Sequence, residues 1–295
     1  MSSSELQTKK KPSWLKTRFP SHQNFFSVSN LLKDENLHTI CQSAKCPNIS
    51  ECWTHKTATF LILGDTCTRN CAFCAVKKGT PSSPSEDEAS RVTEAASILG
   101  LRYVVITSVT RDDLPDGGAS RFAETLKAIR QKIPEAKIEV LIPDFRGRED
   151  ALMTVIAARP DILNHNVEVP ESLYPLINRP KENYLLSLKV LKKAKEYGAI
   201  TKSGMMIGLG ETNKNILQTF SDLRWADCNL LTIGQYLQPT KNNAPVKKYY
   251  SPLEFDQLKK IALDFGFEEV ESGPLVRSSY RAHKMYNAFA ETRAN

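Results

Sequence analysis

The chain has 295 residues, 41% hydrophobic and 25% charged, enough to bury the core of one α/β barrel or of two average domains. No apolar run approaches the roughly 18 residues of a membrane span, and the composition excludes a mainly disordered or collagen-like chain. The net charge of +7 is uneven, because Met1–Pro20 holds five basic residues and one acidic, leaving only +3 for the rest. That is too mild to argue for nucleic acid.

In chain order, the Ser-rich basic start lacks an apolar h-region and reads as a solvated tail, not a secretory signal. The expectation is a cytoplasmic protein without organellar targeting, whose seven cysteines stay reduced. An N-terminal extension spans residues 1–56, with about the first 20 flexible. From Thr57 onward, short apolar runs alternate with amphipathic stretches. The runs predict strands at Thr59–Leu63, Tyr103–Thr107, Ile138–Ile142, Ile162–Val167, Gly204–Ile207 and Leu230–Gly234. The stretches predict helices at Ser85–Leu99, Ala119–Ile133, Glu149–Ala157, Glu182–Tyr197, Lys214–Trp225 and Pro252–Phe265. Ser85 and Glu88 have capping-box spacing, and Gly100 and Gly198 stand where C-caps belong. Six strand–helix units predict a parallel sheet covered by helices. Since a closed barrel has eight, the expected fold is α/β: a partial (β/α)6 TIM-type barrel over 57–266 with N-terminal and C-terminal extensions. A doubly wound open sheet is the alternative. Lys241–Tyr250 reads as an exposed basic loop, and residues 267–295 as a tail ending in a helix at Arg281–Ala290.

Six of the seven cysteines fall between residues 41 and 74, in two triplets. Cys41, Cys46 and Cys52 have C-x4-C-x5-C spacing; Cys67, Cys71 and Cys74 have C-x3-C-x2-C spacing. Structural zinc wants four ligands, for which only His38 and His55 are near in sequence. A cubane held by three thiolates keeps one iron open for another ligand, so iron–sulfur is favoured while zinc stays open. The second triplet follows the first strand at its C-terminal end, the edge where barrels build active sites. The seventh cysteine, Cys228, reads as a small buried side chain.

Cys67-Thr-Arg-Asn-Cys71-Ala-Phe73-Cys74 resembles the cluster loop of the radical S-adenosylmethionine superfamily. The segment from Cys41 to Trp53 resembles the auxiliary-cluster motif of the lipoyl synthase family, and Arg277-Ser278-Ser279-Tyr280 its terminal R-S-S-Y motif. The likeness runs over roughly residues 30–285. It implies that Cys67, Cys71 and Cys74 hold a catalytic [4Fe–4S] cluster whose open iron binds S-adenosyl-L-methionine and reduces it to a 5′-deoxyadenosyl radical. It implies a second [4Fe–4S] cluster on Cys41, Cys46 and Cys52, with Ser279 on its remaining iron and Arg277 beside it. The implied reaction inserts two sulfur atoms, at C6 and C8 of a protein-bound octanoyl-lysine group, with the auxiliary cluster as donor. The bland alternative for Ser278 and Ser279 is that both cap the final helix.

Further cofactor contacts implied by the likeness are Gly204, Gly208 and Glu211 near the adenine, Gly117 and Gly118 near the methionine, and Asn166 and Glu168 at the barrel mouth. Each has a structural alternative: a tight turn for the glycines, satisfied loop backbone for the polar pair. Arg111 and Asp112 read as a loop salt bridge. The implied partners are octanoylated lipoyl carrier domains (E2 subunits of 2-oxoacid dehydrogenases, the glycine cleavage H protein) and an electron donor such as flavodoxin or ferredoxin. No nucleic acid, membrane or oligomer is called for. Residues Ile177–Lys202, with seven basic and two acidic side chains, offer a docking patch for an acidic carrier domain or simply a solvated face.

Overall fold

The structure, a computed structural model, describes residues 11–17 and 19–294. The N-terminal extension contains α1 (Gln23–Asp34), β1 (His38–Thr39), α2 (Ile40–Ser43) and α3 (Ile49–Thr54). The repeating part begins with β2 (Thr59–Ile62), the short strands β3 (Thr66–Cys67) and β4 (Lys77–Lys78), and α4 (Glu88–Ile98). It continues through β5 (Tyr103–Ser108), α5 (Ala119–Lys132), β6 (Lys137–Leu141), α6 (Glu149–Ala157), β7 (Ile162–Asn164) and α7 (Glu182–Glu196). Then come β8 (Thr201–Ile207), α8 (Asn213–Trp225), β9 (Leu230–Gln235), α9 (Pro252–Asp264), β10 (Glu269–Gly273) and α10 (Ala282–Ala294).

The strand order is β1-β2-β5-β6-β7-β8-β9-β10, parallel except for β1 against β2. Each parallel strand therefore lies beside the next one in the chain, and the order never reverses. A doubly wound sheet would reverse, so that alternative falls. Winding in one direction puts the helices on one face and leaves the other face as a barrel interior. The sheet stays open between its edges β1 and β10.

The interior is polar at its base. Lys202 and Glu139, each 1% exposed, pair at 2.9 Å, and Asn164 and Tyr103 both donate to the same carboxylate. Tyr103, Glu139 and Lys202 share strand parity with Thr107, Leu141 and Gly204, which line the cavity above. The buried pair is thus a charge-neutral floor below the site.

Several expectations need correction. The stretch read as the start of a tail is a seventh parallel strand, β10, paired with β9 from Glu269↔Leu230 to Gly273↔Gly234. Ser85 and Glu88 form no capping box: Glu88 instead accepts from the Leu63 backbone at 2.8 Å. True capping boxes start α8, with Thr212 and Asn215, and α9, with Ser251 and Glu254. The solvated-tail reading of Met1–Pro20 lies outside the described residues for 1–10 and 18. Within 11–17 it fails, because Leu15 is fully buried and the Trp14 indole donates to the Tyr250 carbonyl at 3.2 Å. The Lys241–Tyr250 loop is not simply exposed either, since Ala244 and Tyr250 are buried. No helix among the described residues is long and apolar enough to cross a membrane.

Candidate active site

A cavity of about 540 Å3 opens at the C-terminal ends of the barrel strands, and both cysteine triplets line it. Each triplet owes its position to a different local device. Antiparallel pairing of β1 with β2, His38↔Leu61 and Thr39↔Phe60, sets Cys41 beside Thr59 at the start of β2. Cys46 turns back onto Cys41 through a 2.9 Å backbone hydrogen bond, and Cys52 follows on α3, anchored by fully buried Trp53. The radical loop hangs between β3 and β4. The Thr68 amide and hydroxyl both donate to the Thr110 carbonyl, and the Ala72 amide to that of Ile177. Asn243 donates to the Ala72 and Cys74 carbonyls, each at 3.0 Å. The sequence does not single out Asn243, because the Asn242-Asn243 pair in a basic loop carries no periodic signal.

The thiols of each triplet sense one another. Burial pushes the Cys41 thiol up to about 11 and Cys52 up to about 12, and neighbouring thiols add to both shifts. Cys46 is raised by burial, opposed by a backbone N–H of Asn48 and by the Arg277 guanidinium. Burial likewise lifts Cys74 to about 12, with Cys71 and Cys67 adding to the shift. Three crowded thiols in a partly dry cavity become thiolates only if a cationic centre joins them. Arg277 is one positive charge for three sulfurs, and a bound metal cluster would have to supply the rest. The donor sets therefore fit [4Fe–4S] clusters. A four-ligand zinc site is not formed among the described residues, where no three His, Cys, Asp or Glu side chains gather around one ion position. His55 instead bonds the Glu51 carbonyl at 2.8 Å.

The C-terminal motif lies across the barrel mouth, next to the first triplet. Asn48 donates to the Leu275 carbonyl at 2.6 Å, and Tyr280 and Arg281 both donate to Glu51 at 3.0 Å. The Ser279 hydroxyl accepts from Thr59 at 2.9 Å, and Ser278 is paired with Asn166. Both hydroxyls line the cavity and neither caps α10, which begins at Ala282. Two glycines make this crossing possible. A Cβ on Gly234 would stand 2.2 Å from the Val276 carbonyl oxygen, and one on Gly204 would stand 2.8 Å from Ser278 Oγ. Gly204 thus clears space for the tail, and Gly234, which the sequence does not single out, does the same.

The other expected contacts divide. Arg277, Asn166, Glu168 and Gly204 line the cavity. Burial raises the Glu168 carboxyl, against the Arg179 charge and a hydrogen bond from Asn166. Gly208, Glu211, Gly117 and Gly118 do not line it. Glu211 accepts from the Gly208 and Leu209 amides and from the Tyr250 hydroxyl, which makes it a loop anchor. Gly117 and Gly118 have left-handed backbones, and a Cβ on Gly118 would meet Leu63 at 2.2 Å. Arg111 pairs with Asp113, not with Asp112. Cys228 is fully buried, as expected, and no disulfide joins any of the seven cysteines. The basic run from Ile177 is largely consumed internally: Arg179 on Asp144, Lys181 on Glu171, Lys193 on Glu149 and Glu196, Lys202 on Glu139, and Lys192 over Trp225.

Asp112 and Asp144 instead brace the radical loop through Arg69, at 2.7 and 2.6 Å. Burial would raise the Asp144 carboxyl, but Arg69's hydrogen bonds and charge hold it well below the usual carboxylate range. Its contribution to stability is therefore present above an ordinary carboxylate pKa and lost as the pH falls through the lower folded value. Asp144→Asn is expected to cost about 3 kcal/mol at pH 7, since it strips one partner from a buried pair. The deficit relative to wild type should shrink below about pH 4. Urea midpoints measured across pH check this; a pH-independent deficit would contradict it.

Comparison with known proteins agrees with this geometry. Residues 61–223 match the Radical SAM superfamily, and residues 2–46 match the N-terminal domain of lipoyl synthase of the Radical SAM family. A lipoyl synthase of Rubrobacter xylanophilus is 52% identical over 276 residues, 93% of this chain and 86% of that one. One from Caldicellulosiruptor bescii is 54% identical over 275 residues, 92% and 94% of the two chains. Among solved structures, HydG, a maturase of the [FeFe]-hydrogenase, has a TM-score of 0.56 at 10% identity, over 92% of this chain and 79% of its own. SuiB of Streptococcus suis, bound to S-adenosylmethionine, has a TM-score of 0.54 at 11% identity; the likeness covers 74% of this chain and half of SuiB. Those two show the fold alone. With the motifs, the cavity and relatives above 50% identity over nearly the whole chain, this protein belongs to the lipoyl synthase family of radical S-adenosylmethionine enzymes.

Proposed function

We propose that the chain inserts two sulfur atoms, at C6 and C8, into an octanoyl group amide-linked to a lysine of a lipoyl carrier domain. The observation that carries this reading is the meeting of both cysteine triplets and the Arg277–Tyr280 motif in one cavity, although Cys41 and Ser279 lie far apart in sequence. Cys67, Cys71 and Cys74 would hold the cluster that, when bound, supplies one electron to the sulfonium of S-adenosylmethionine and so a carbon radical able to take hydrogen from an unactivated C–H bond. Cys41, Cys46, Cys52 and Ser279 would hold the sulfur-donating cluster.

The chain's own residues then have distinct tasks. Arg277 provides positive charge beside Cys46 and stabilises an anionic cluster. Thr59 donates to the Ser279 hydroxyl at 2.9 Å, which holds that oxygen on the cavity wall and would make it a weaker iron ligand than the thiolates. Asn166 and Glu168, which line the cavity, would contact the polar part of the cofactor. The apolar wall of Leu61, Val76, Leu141 and Met205 suits an acyl chain and keeps water from a radical. The carrier domain, the reductant and a cytoplasmic location are part of this reading.

Ser279→Ala is expected to keep cleavage of S-adenosylmethionine but reduce lipoyl product at least tenfold, while Ser278→Ala does less. Product mass spectrometry with parallel 5′-deoxyadenosine quantification tests it. Equal losses in the two variants would remove Ser279 from the ligand set.

A further inference from the structure

A second concavity lies on the outer side of the radical loop. It encloses about 560 Å3, and its walls are mostly amides and guanidinium groups: Arg69, Asn70, Arg146, Asn178, Arg179 and Asn183. Of the two cysteine triplets, only Cys71 reaches it among the described residues. Arg69, Cys71, Asp144 and Arg179 line both this pocket and the central cavity, so they form the partition between the two.

The charges of the partition cancel. Arg69 is bound to Asp112 and Asp144, and Arg179 to Asp144. Arg146 is left over: it is exposed on the rim and has no acidic partner among the described residues. Its position is built rather than incidental. Phe145 and Arg146 have left-handed φ values of 46° and 54°, uncommon for such side chains, and Asp144 accepts from the Arg146 amide at 2.9 Å. Across the pocket Asn178, at φ 57°, donates to the Asn70 carbonyl and ties that rim to the radical loop. The carboxylate that braces the cluster loop thus also fixes the backbone that carries the exposed Arg146 side chain.

On the functional reading above, the central cavity is filled when the electron is needed, because the cofactor and the acyl chain share it with both clusters. The outer pocket stays open and ends at a cluster ligand. We infer that it is the docking site of an acidic one-electron carrier protein, which delivers its electron to the radical-loop cluster by way of Cys71. The reduced carrier loses one electron and the cluster gains it; no bond forms or breaks and no proton moves. A carboxylate of the carrier would seat on Arg146, whose planar fork donates to it in bidentate fashion. Attraction of this kind acts mainly on the encounter rate and is screened by salt.

The test uses the iron-loaded enzyme with reduced flavodoxin as the probe. Cluster reduction is followed by freeze-quench electron paramagnetic resonance, and binding by anaerobic flavin fluorescence. Arg146→Asp, which tolerates the left-handed backbone, is expected to slow reduction by flavodoxin at least tenfold at low ionic strength. The gap should close as salt rises, and reduction by dithionite should be unchanged. Arg146→Lys should keep most of the wild-type rate, and Arg146→Asn should fall between. Reduction of Arg146→Asp by flavodoxin at the wild-type rate would overturn the inference. So would an equal loss with dithionite, or a loss of affinity for an octanoylated carrier domain with flavodoxin binding intact. Failure of the wild-type chain to take up iron and sulfide at all would instead overturn the functional reading on which this rests.

Discussion

Changing Cys67, Cys71 and Cys74 together to Ala is expected to abolish release of 5′-deoxyadenosine from S-adenosylmethionine, while iron and sulfide fall from about eight of each per chain to about four. The result should be this clean because the loop is not held by its thiols. Backbone bonds from Thr68 to Thr110, from Ala72 to Ile177 and from Gly79 to Cys67 keep its path, and Asn243 clamps its middle. Arg69 adds its two carboxylates from outside. All three thiols are only half-buried, so their truncation removes little apolar contact and the barrel should retain its unfolding midpoint. The other triplet draws on α2 and α3, elements that do not depend on this loop, and its cluster should still absorb in the visible. Iron analysis, visible spectra and deoxyadenosine quantification read the three consequences together. Deoxyadenosine formed at the wild-type rate would show that the reductive cleavage happens elsewhere.

Removal of Cys41, Cys46 and Cys52 is expected to have the opposite signature: deoxyadenosine still forms and hydrogen still leaves the octanoyl chain, yet no sulfur enters. The radical loop keeps all its anchors in this variant. What changes is the far wall of the cavity, where Arg277 loses the Cys46 sulfur that offsets the burial of its guanidinium. The Glu51 contacts of Tyr280 and Arg281, and the Asn48 contact of Leu275, should still hold the tail in place. Substrate should therefore still bind. The measurement is mass spectrometry of the carrier domain after turnover of an enzyme preloaded with labelled sulfide. Labelled sulfur in the product of the triple variant would place the donor outside this triplet.

Much of the framework was legible in sequence because both of its signals are local. Near-continuous apolar runs such as Thr59–Ile62 and Val104–Ile106 mark strands buried on both faces, and the amphipathic stretches between them mark the covering helices. Strand β10 escaped for a matching reason. Glu-Val-Glu-Ser-Gly has one buried apolar side chain, Val270, and pairs with a neighbour on one side only, so it has no apolar run to show. Sequence spacing likewise misassigned Arg111, because the choice among Asp112, Asp113 and Arg69 as partners depends on which way each loop side chain turns.

The sequence by itself determined the chemistry: six cysteines in two spaced triplets, an aromatic beside Cys74, and a serine motif near the end specify what the chain can bind. Ligand identity is a property of side chains and short spacings, and it survives without coordinates. Only the tertiary structure decided what meets what. It sorted cavity-lining Asn166, Glu168 and Gly204 from Gly208, Glu211, Gly117 and Gly118, which serve turns and loop anchors. It brought Ser279 to Thr59 across 220 positions, through a seventh strand and two glycines that no local pattern distinguishes from ordinary turn residues. Contacts at that separation depend on how the open barrel curves, and curvature is a property of the whole sheet.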